Sequence, residues 1–421
     1  MRVQLQRIAG LIGAVLIFSS VVWSGVFRAE EVSILMPSSF SDASAELVEA
    51  FNRDHRGKIH LKVIRGPLNT ESISDLAISS LLLGDAPFDV LLMDVTWLPK
   101  YAAAGWLEPL DPWFSTEEQQ QLVPGARLGN DFNDQLYRWP LVADVGLLYW
   151  RTDLMDQPPA TPDELMDVAG NLVQAGKINN GFVWQGRQYE GLSCDFLEVL
   201  YGFGGRWMNT DSTALELQTA AATDAAAWLQ SLITKGISPY AVTNYAESES
   251  LQAFKAGDAA LMRNWPYAWA ELQKDDSNVR GNVGISLMVA QPGEAPAATL
   301  GSWGLSLMHQ STHQAAAVEA IRYLTSEAAQ RQRFLDFGYS PTASNLFRDP
   351  EMLAASEVLP ELERALNHAV ARPPTPLYAQ LSDILQRELN GLLTEGGTAQ
   401  LTMQRTETRG ETLLRAAGAA S

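Results

Sequence analysis

From Glu31 onward, segments with the hydrophobic pattern of β-strands take turns with segments that have the pattern of amphipathic helices. The segments EVSILMP, KIHLKVIRG and FDVLLMD have the alternating or continuous apolar character of strands. Between them, SDASAELVEAFNRDH and ESISDLAISSLLLG carry apolar residues at helical spacing. The pattern predicts a cap at Ser41 or Asp42 for the first helix and an end at Gly84 for the second. Strands that alternate with helices predict a parallel sheet with helices on both faces.

The same alternation continues in the second half of the chain. LLYW predicts a short strand, and TPDELMDVAGNLVQAG predicts a helix with Thr161 as its cap and Pro162 at its first position. The chain has 421 residues, enough for two domains or for one large domain. Ligands of open parallel sheets bind beyond the carboxyl ends of the strands. Asp94, Asp144 and Trp303 follow strand-like segments, so we expect them near a ligand.

The N-terminus has the pattern of an export signal. Arg2 and Arg7 precede an uncharged run from Ile8 to Phe27. The run is also long enough to span a bilayer. Residues 1–29 are therefore predicted to be a signal peptide or a retained membrane anchor. Either interpretation places the protein in the periplasm or at the cell exterior.

Charge and cysteine content narrow the classes of partner. The formal net charge of −19 argues against nucleic acid and anionic membranes as partners, because phosphate binding needs a basic face. The single cysteine, Cys194, cannot form an internal disulfide, and we expect it to be a small core residue.

Common catalytic and cofactor motifs are missing from the sequence. It contains no phosphate-binding loop of the G-x-x-x-x-G-K type, and GFGGRW breaks the dinucleotide pattern at its third glycine. His309 and His313 lie four residues apart, but in a segment that is typical of a loop. We therefore predict no cofactor and no metal site.

Tryptophan is the most informative residue type, with 12 copies in the chain. A tryptophan ring suits the C–H face of a pyranose, and carboxylates or arginine suit its hydroxyl rim. The segment RNWPYAW adds a positional argument, because Pro266 fits the first turn of a helix. Trp265 then stands at the helix entrance, where its ring can face a cleft. Tyr267 lines the same wall, and Trp269 is more consistent with the core.

Six segments, taken in order, resemble the sugar-binding proteins of ABC importers (extracellular solute-binding family one), and most closely the trehalose/maltose-binding group. The resemblance extends from about Glu31 to about Leu414. The segments are FDVLLMDVTWLPKYAAAGWLEPLD, WPLVADVGLLYWRTDL, GFVWQGRQYEGLSCDFLEVLYGFGG, FKAGDAALMRNWPYAWA, AATLGSWGLSL and HAVARPPTPLYAQLSDI.

The resemblance implies the periplasmic-binding-protein fold: two α/β lobes joined by a multi-strand hinge, with the ligand cleft between them. The first lobe is expected to hold residues 30–143 and 304–346, and the second lobe residues 144–303 and 347–415, followed by a tail at 416–421. No reaction is implied. The lobes are expected to close on the ligand and then dock on a membrane permease that works with a separate ATPase.

The resemblance also assigns ligand-binding residues one by one. Asp94 matches an acid that binds sugar hydroxyls, and Asp144 matches a second acid beside the hinge. Trp265 and Trp303 match stacking aromatics. Arg372 matches an arginine that reaches into the cleft from the C-terminal segment.

Two further residues complete the predicted cleft. Tyr267 is expected in the cleft wall, and Ser302 occupies a position where close relatives have glycine. Glu71 and Ser72 stand where an arginine is expected, and the segment PSSFSD lacks an expected acid. These departures leave the particular sugar open.

The sequence therefore predicts a monomeric binding protein for a small α-glucoside: trehalose, maltose, sucrose or glucosylglycerol. Two alternatives stay open. A secreted glycosidase would use Asp94 and Asp144 as its paired carboxylates. A sensory receptor would pass the closed state to a signalling partner, and the sequence does not separate this role from transport.

Overall fold

The computed structural model describes residues 29–84 and 87–418. The predicted leader, residues 1–29, lies outside this part of the chain except for its last residue, and so do residues 419–421 of the predicted tail.

Thirteen strands lie in the described residues. They are β1 (Glu30–Pro37), β2 (Ile59–Gly66), β3 (Val90–Asp94), β4 (Asp131–Phe132), β5 (Gln135–Leu136), β6 (Trp139–Val142), β7 (Leu147–Arg151), β8 (Asn180–Val183), β9 (Ala259–Asn264), β10 (Val283–Ser286), β11 (Ala298–Thr299), β12 (Trp303–Leu307) and β13 (Ala369–Val370).

Seventeen α-helices lie in the same part of the chain. They are α1 (Ser38–Ala43), α2 (Ala45–Asp54), α3 (Thr70–Leu82), α4 (Leu98–Ala103), α5 (Thr116–Gln120), α6 (Pro124–Arg127), α7 (Pro162–Gln174), α8 (Glu190–Gly202), α9 (Ala220–Thr234), α10 (Glu247–Lys255), α11 (Tyr267–Leu272), α12 (Gln314–Leu324), α13 (Glu327–Phe337), α14 (Pro350–Ala355), α15 (Leu359–Leu366), α16 (Tyr378–Thr394) and α17 (Ala399–Ala416). Short 3-10 helices cover Val95–Trp97, Tyr240–Asn244 and Ser344–Arg348.

Two sheets form the centres of two lobes. The first sheet has the strand order β2-β1-β3-β12-β6, and the second has the order β10-β7-β9-β8. Helices accompany both sheets, as the predicted two-lobed α/β fold requires. The first lobe takes β12 from the distal half of the sequence, so the chain crosses between the lobes more than once.

The sheets are mixed, which corrects the predicted parallel arrangement. β1 pairs in parallel with β2 and β3, whereas β12 runs antiparallel to β3 and β6. In the second sheet, β8 and β9 are parallel, but β7 is antiparallel to β9 and β10. Strands that return from the other lobe do not need a βαβ crossover, so they enter in the opposite direction.

Three chain segments connect the lobes and form a multi-strand hinge. Val145 forms an antiparallel bridge with Leu300, and β11 pairs in parallel with β13. The Gly301 amide donates to the Asp144 carbonyl at 2.7 Å, and the Gly146 amide donates to the Thr299 carbonyl at 3.1 Å. The crossing segments are thereby hydrogen-bonded to one another.

Helix starts show where local sequence decided the structure. Thr161 caps α7 in a capping box with Glu164, as the sequence predicts. The predicted cap at Ser41 or Asp42 is wrong. The chain turns helical immediately after β1, so Ser38 to Ala43 form α1, and α2 follows after Ser44.

The apolar core has a larger and a smaller part. The larger cluster includes side chains of both sheets, such as Leu92 and Leu305 from the first and Leu148 and Leu261 from the second. The smaller cluster packs α3 and α4 against the first sheet through Ile73, Leu98 and their neighbours. Cys194 is buried, in agreement with its predicted place in the core.

The predicted lobe boundaries stay a prediction. β12, which begins at Trp303, belongs to the first sheet and therefore starts one residue before the predicted boundary at 304.

Candidate functional site

The carboxyl end of β3 supplies the first acid of the site. Asp94 is the last residue of this fully buried strand, and only 4% of its surface is exposed. Its Oδ1 accepts hydrogen bonds from the amide and the hydroxyl of Thr96 at 2.9 and 2.7 Å, which caps the following 3-10 helix. Trp303 is the register partner of Asp94 on the antiparallel strand β12. The two predicted ligand residues are therefore neighbours at the same end of the first sheet, where β3 ends and β12 begins.

Arg372 joins this edge to the second lobe. It lies just beyond β13 and is 4% exposed. Its Nη2 donates to both carboxylate oxygens of Asp94 at 2.9 Å, and its Nη1 donates to Glu190 Oε1 at 2.7 Å. A planar guanidinium suits such a double contact, because its donors are fixed in a fork.

Glu190 begins α8 and receives several donors. Besides Arg372, its carboxylate accepts hydrogen bonds from the hydroxyls of Tyr378 and Ser382. Burial raises the pKa of this carboxyl, while the Arg372 guanidinium works in the opposite direction. A buried carboxylate needs such partners, because an unpaired charge is costly away from water.

Aromatic side chains surround Trp303 in the first lobe. Its ring centroid lies 5.4 Å from that of Trp97, edge to face, and 5.3 Å from that of Phe40. Phe40 in turn stacks on Tyr339 at 4.9 Å. Phe40 reaches this position because the PSSFSD segment is helical rather than an extended loop. Trp303 stays partly exposed, so part of its ring is available to a ligand.

Trp265 is the stacking residue predicted for the second lobe. It lies between β9 and α11, as the proline argument predicts, and it is partly exposed. Its indole donates to Glu247 Oε1 at 3.2 Å, and the Arg263 guanidinium lies 4.0 Å from the ring centroid. Tyr267 opens α11 beside it, and burial raises the pKa of the phenol.

Arg263 is fully buried and is held by acids of α8. Its guanidinium lies 3.0 Å from Asp195 Oδ1 and from Glu198 Oε2, and its Nη1 donates to Gln185 Oε1 at 3.1 Å. Burial raises the pKa of Asp195, since its charged form is desolvated. In this ion cluster, the Arg263 guanidinium packs against the Trp265 ring. The cluster also lies against the hinge at Gly146.

Asp144 lies in the hinge and is 6% exposed. Its Oδ1 accepts a hydrogen bond from the Ser340 amide at 3.1 Å. Burial raises the pKa of Asp144 to about 6, and the hydrogen bonds from Ser340 reduce the shift. The carboxyl is therefore tied to the chain that returns to the first lobe.

Ser302 has no exposed surface. Its hydroxyl donates to the Val142 carbonyl at 2.9 Å and accepts from Arg138 Nη2 at 2.7 Å. Arg138 is itself fully buried, and burial lowers its pKa to about 9. In this arrangement Ser302 positions Arg138 and the start of β12, and its predicted direct contact with a ligand has no support from its burial.

The structure thus joins Asp94, Trp303 and Arg372 directly. Trp265 lies close to these residues on the hinge side. Its ring packs directly on Gly301, where an added Cβ would lie only 2.7 Å from it. Asp144 is placed in the hinge and Ser302 behind the sheet edge. Ser302 has no exposed surface, and the other six predicted residues stay candidates for direct contact.

Sequence reasoning missed several buried charged residues of the site. They are Arg138, Asp195, Glu198 and Arg263, together with the partly exposed Glu190. One signal was available: Asp195 and Glu198 interrupt the otherwise apolar run of GLSCDFLEVLYG, and an acid on a buried helix requires a cationic or hydrogen-bonding partner.

Two features are absent from residues 29–84 and 87–418. No three side chains of histidine, cysteine, aspartate or glutamate gather there as a metal site would require. Within those limits, every helix is too short or too polar to cross a membrane. His309 and His313 each pair with a different acid, Glu108 and Asp89.

Known proteins resemble the chain over most of its length. A probable ABC transporter-binding protein of Deinococcus radiodurans is 34% identical over 350 residues, which cover 80% of this chain and 82% of the relative. A maltotriose-binding protein of Pyrococcus abyssi is 24% identical over 315 residues, covering 74% of this chain and 67% of that protein. Among solved structures, maltose-bound T. maritima MalE3 matches with a TM-score of 0.85 and 31% identity, covering 91% of this chain and 100% of that one.

These relatives are binding proteins, and the chain is likewise a binding protein rather than a glycosidase. Residues 37–331 match the bacterial extracellular solute-binding protein family. The match confirms the resemblance predicted from the sequence. With its two mixed α/β lobes, its multi-strand hinge and this match, the chain belongs to the family of bacterial extracellular solute-binding proteins.

Proposed function

We propose that the protein captures a small α-glucoside between its lobes and delivers it to the membrane permease of an ABC importer. Trehalose, maltose, sucrose and glucosylglycerol are the candidate ligands. In this proposal the protein works as an exported monomer, and a separate ATPase drives transport. The lobes correspond to residues 30–143 with 304–346 and residues 144–303 with 347–415.

One observation carries the proposal: Asp94, Arg372 and the partly exposed Trp303 meet at the edge where the lobes join. A ring-stacking surface beside a charged hydrogen-bonding pair suits a neutral ligand rich in hydroxyl groups. Trp265 supplies a second stacking surface from the other lobe. Relatives that bind maltose and maltotriose support the α-glucoside class.

The expected affinity is micromolar or tighter. Several buried hydroxyl contacts and two ring stacks together offset the cost of fixing the ligand and closing the lobes. A sugar that leaves a buried donor or acceptor unpaired loses about 1–3 kcal/mol per group, which provides selectivity.

A thermal-shift panel tests the proposal. The panel holds the four candidate α-glucosides together with maltotriose and mannitol, a longer sugar and a polyol for which two similar proteins are named. A ligand that binds only the folded protein raises its melting temperature by mass action. A rise with one α-glucoside supports the proposal, whereas a rise with mannitol alone would assign the site to polyols.

The second candidate is a sugar-sensing receptor with the same closing lobes. It differs only in the partner that reads the closed state. Genes for a permease beside the gene of this protein favour import, and a kinase gene in that position favours sensing.

A further inference from the structure

A hydrogen bond crosses between the lobes at the start of α3. Glu71 lies in the first turn of this helix, which packs on the first sheet through Ile73 and Ala77. Its Oε1 accepts a hydrogen bond at 3.3 Å from the backbone amide of Glu190, the first residue of α8 in the second lobe. The two residues are 119 positions apart in the sequence. Because the two residues belong to different lobes, this contact exists only while the lobes are close together.

The contact is chemically favourable for both helices. The first amides of an α-helix have no partner within the helix, and a carboxylate at that end also complements the helix dipole. Glu71 itself is presented by a fixed turn. Asn69 caps α3 by accepting hydrogen bonds from the amide and hydroxyl of Ser72 at 2.9 and 3.0 Å.

Glu190 is equally well fixed on the other side. Its carboxylate binds Arg372 and Ser382, each at 2.7 Å, and both lie in the C-terminal segment that packs beside α8. The backbone amide and the side chain of Glu190 thus point to different partners. Through Arg372 the side chain reaches Asp94, and through the amide the backbone reaches Glu71. The first turn of α8 is fastened to the first lobe at two places.

These two contacts, the Arg372–Asp94 ion pair and the hydrogen bond to Glu71, differ in how they can be tested. Arg372 and Asp94 are buried, and the loss of either charge would disturb the site itself. Glu71 is exposed, and its cross-lobe contact lies outside the buried pair. Its substitution removes one inter-lobe contact and leaves the proposed ligand residues in place.

We propose that Glu71 is a positioning residue that favours the joined arrangement of the lobes before a ligand arrives. It holds the start of α8 against the first lobe through its hydrogen bond from the Glu190 amide. A contact present in only one of two states shifts their populations by its own free energy. The ligand then spends less of its binding energy on closure. Only the affinity part of this inference rests on the proposed function.

The test compares Glu71→Ala with Asp75→Ala in the purified protein. Asp75 lies one turn further along α3, is also exposed, and faces Tyr101 of the first lobe, so its loss removes the same charge without the cross-lobe contact. Small-angle scattering of the ligand-free proteins measures lobe opening. We expect a larger radius of gyration for Glu71→Ala only, with melting temperatures unchanged in both variants.

The affinity for maltose, measured by calorimetry, provides the second readout. One hydrogen bond to a charged but exposed acceptor corresponds to a loss of about threefold to tenfold for Glu71→Ala. Glu71→Gln keeps an acceptor oxygen and should restore most of the wild-type behaviour. Equal scattering of wild type, Glu71→Ala and Asp75→Ala would overturn the inference. If no sugar binds, the proposed function fails, but the scattering comparison still decides this inference.

Discussion

At the residue scale, the site is organised by buried arginines that are matched to acids. Arg372 holds Asp94 of one lobe and Glu190 of the other, and Arg263 holds Asp195 and Glu198 beneath Trp265. Each guanidinium loses water on burial and regains hydrogen bonds and charge pairing from the carboxylates. Removal of one partner therefore costs more than the pair contributes, which makes these clusters sensitive to single substitutions.

Trp303 gives the most direct test of ring stacking. Trp303→Ala should weaken sugar binding at least tenfold, because the exposed part of the ring is lost while Asp94 and Arg372 remain. Isothermal titration with the sugar identified in the thermal-shift panel measures the effect. Trp106→Ala is the matched control, since Trp106 lies near the opposite end of β12, where its carbonyl accepts from the His309 amide. Wild-type affinity in a folded Trp303→Ala variant would remove this residue from the site.

Asp144 should make stability depend on pH. Its folded-state pKa of about 6 lies above the ordinary value of 3.8, so the folded protein binds more protons than the unfolded chain between these values. The contribution of Asp144 to stability therefore falls as the pH rises from about 4 to about 6 and stays at its lowest above that range.

Asp144→Asn should remove this dependence. We expect the melting temperature of the variant to gain on that of the wild type between pH 4 and pH 6, as measured by calorimetry at a series of pH values. Asp211→Asn, a change of an exposed loop acid, is the control and should follow the wild type. A constant difference between Asp144→Asn and wild type across the range would contradict the raised pKa.

Sequence and structure agree on some site residues and differ on others for a physical reason. Asp94 was predictable because it ends an apolar strand, and ligands bind beyond the carboxyl ends of strands. Trp303 instead begins β12 and reaches the same end of the sheet because β12 runs antiparallel to β3. Glu190 and Arg263 were not predictable, because their role depends on partners 65 to 182 positions away in the sequence. Ser302 was predicted because close relatives have glycine there, yet its hydroxyl is fully buried and is bonded to Arg138 and the Val142 carbonyl.

At the element scale, the hinge segments are packed against a buried ion cluster. Gly146 follows Asp144 and Val145, and a Cβ at this position would overlap the Glu198 carboxylate and the Arg263 guanidinium. The glycine is therefore required by space. Periodicity predicted the strands on both sides of the hinge, but their antiparallel entry depends on how the chain returns between lobes, which local sequence does not encode.

Gly146→Ala should destabilise the protein by about 2 kcal/mol or more, because the added methyl group displaces a buried charged pair. Denaturant unfolding gives the free energy. The matched control is Gly170→Ala within α7, where the nearest heavy atom to the new Cβ is 4.0 Å away. That change should be neutral or stabilising by about 0.5–1 kcal/mol, since alanine favours helix. Equal stability of the two variants would show that the hinge accommodates the methyl group.

At the scale of the whole molecule, the two lobes share one continuous apolar core. Leu92 and Leu305 from the first sheet belong to the same cluster as Leu148 and Leu261 from the second. The fold class follows from alternating strands and helices together with the six family-like segments. The continuity of the core does not, because it arises from packing across the hinge.

We expect the protein to unfold in one cooperative transition. Since the apolar cluster spans both lobes, the loss of one lobe would expose the core of the other. Differential scanning calorimetry should give a calorimetric enthalpy close to the van't Hoff enthalpy. Two resolved transitions, of which only one moves with a bound sugar, would indicate that the lobes fold independently.

The buried thiol of Cys194 has a practical consequence for optical sensing. Only 2% of the residue is exposed, and burial raises the pKa of the thiol, so it stays protonated and inaccessible to maleimide dyes at neutral pH. A pair of engineered surface cysteines, one in each lobe, would therefore take up a donor and an acceptor fluorophore without any change to the native cysteine. Energy transfer between the two dyes would then change as the lobes close, so the labelled protein would report the concentration of its ligand.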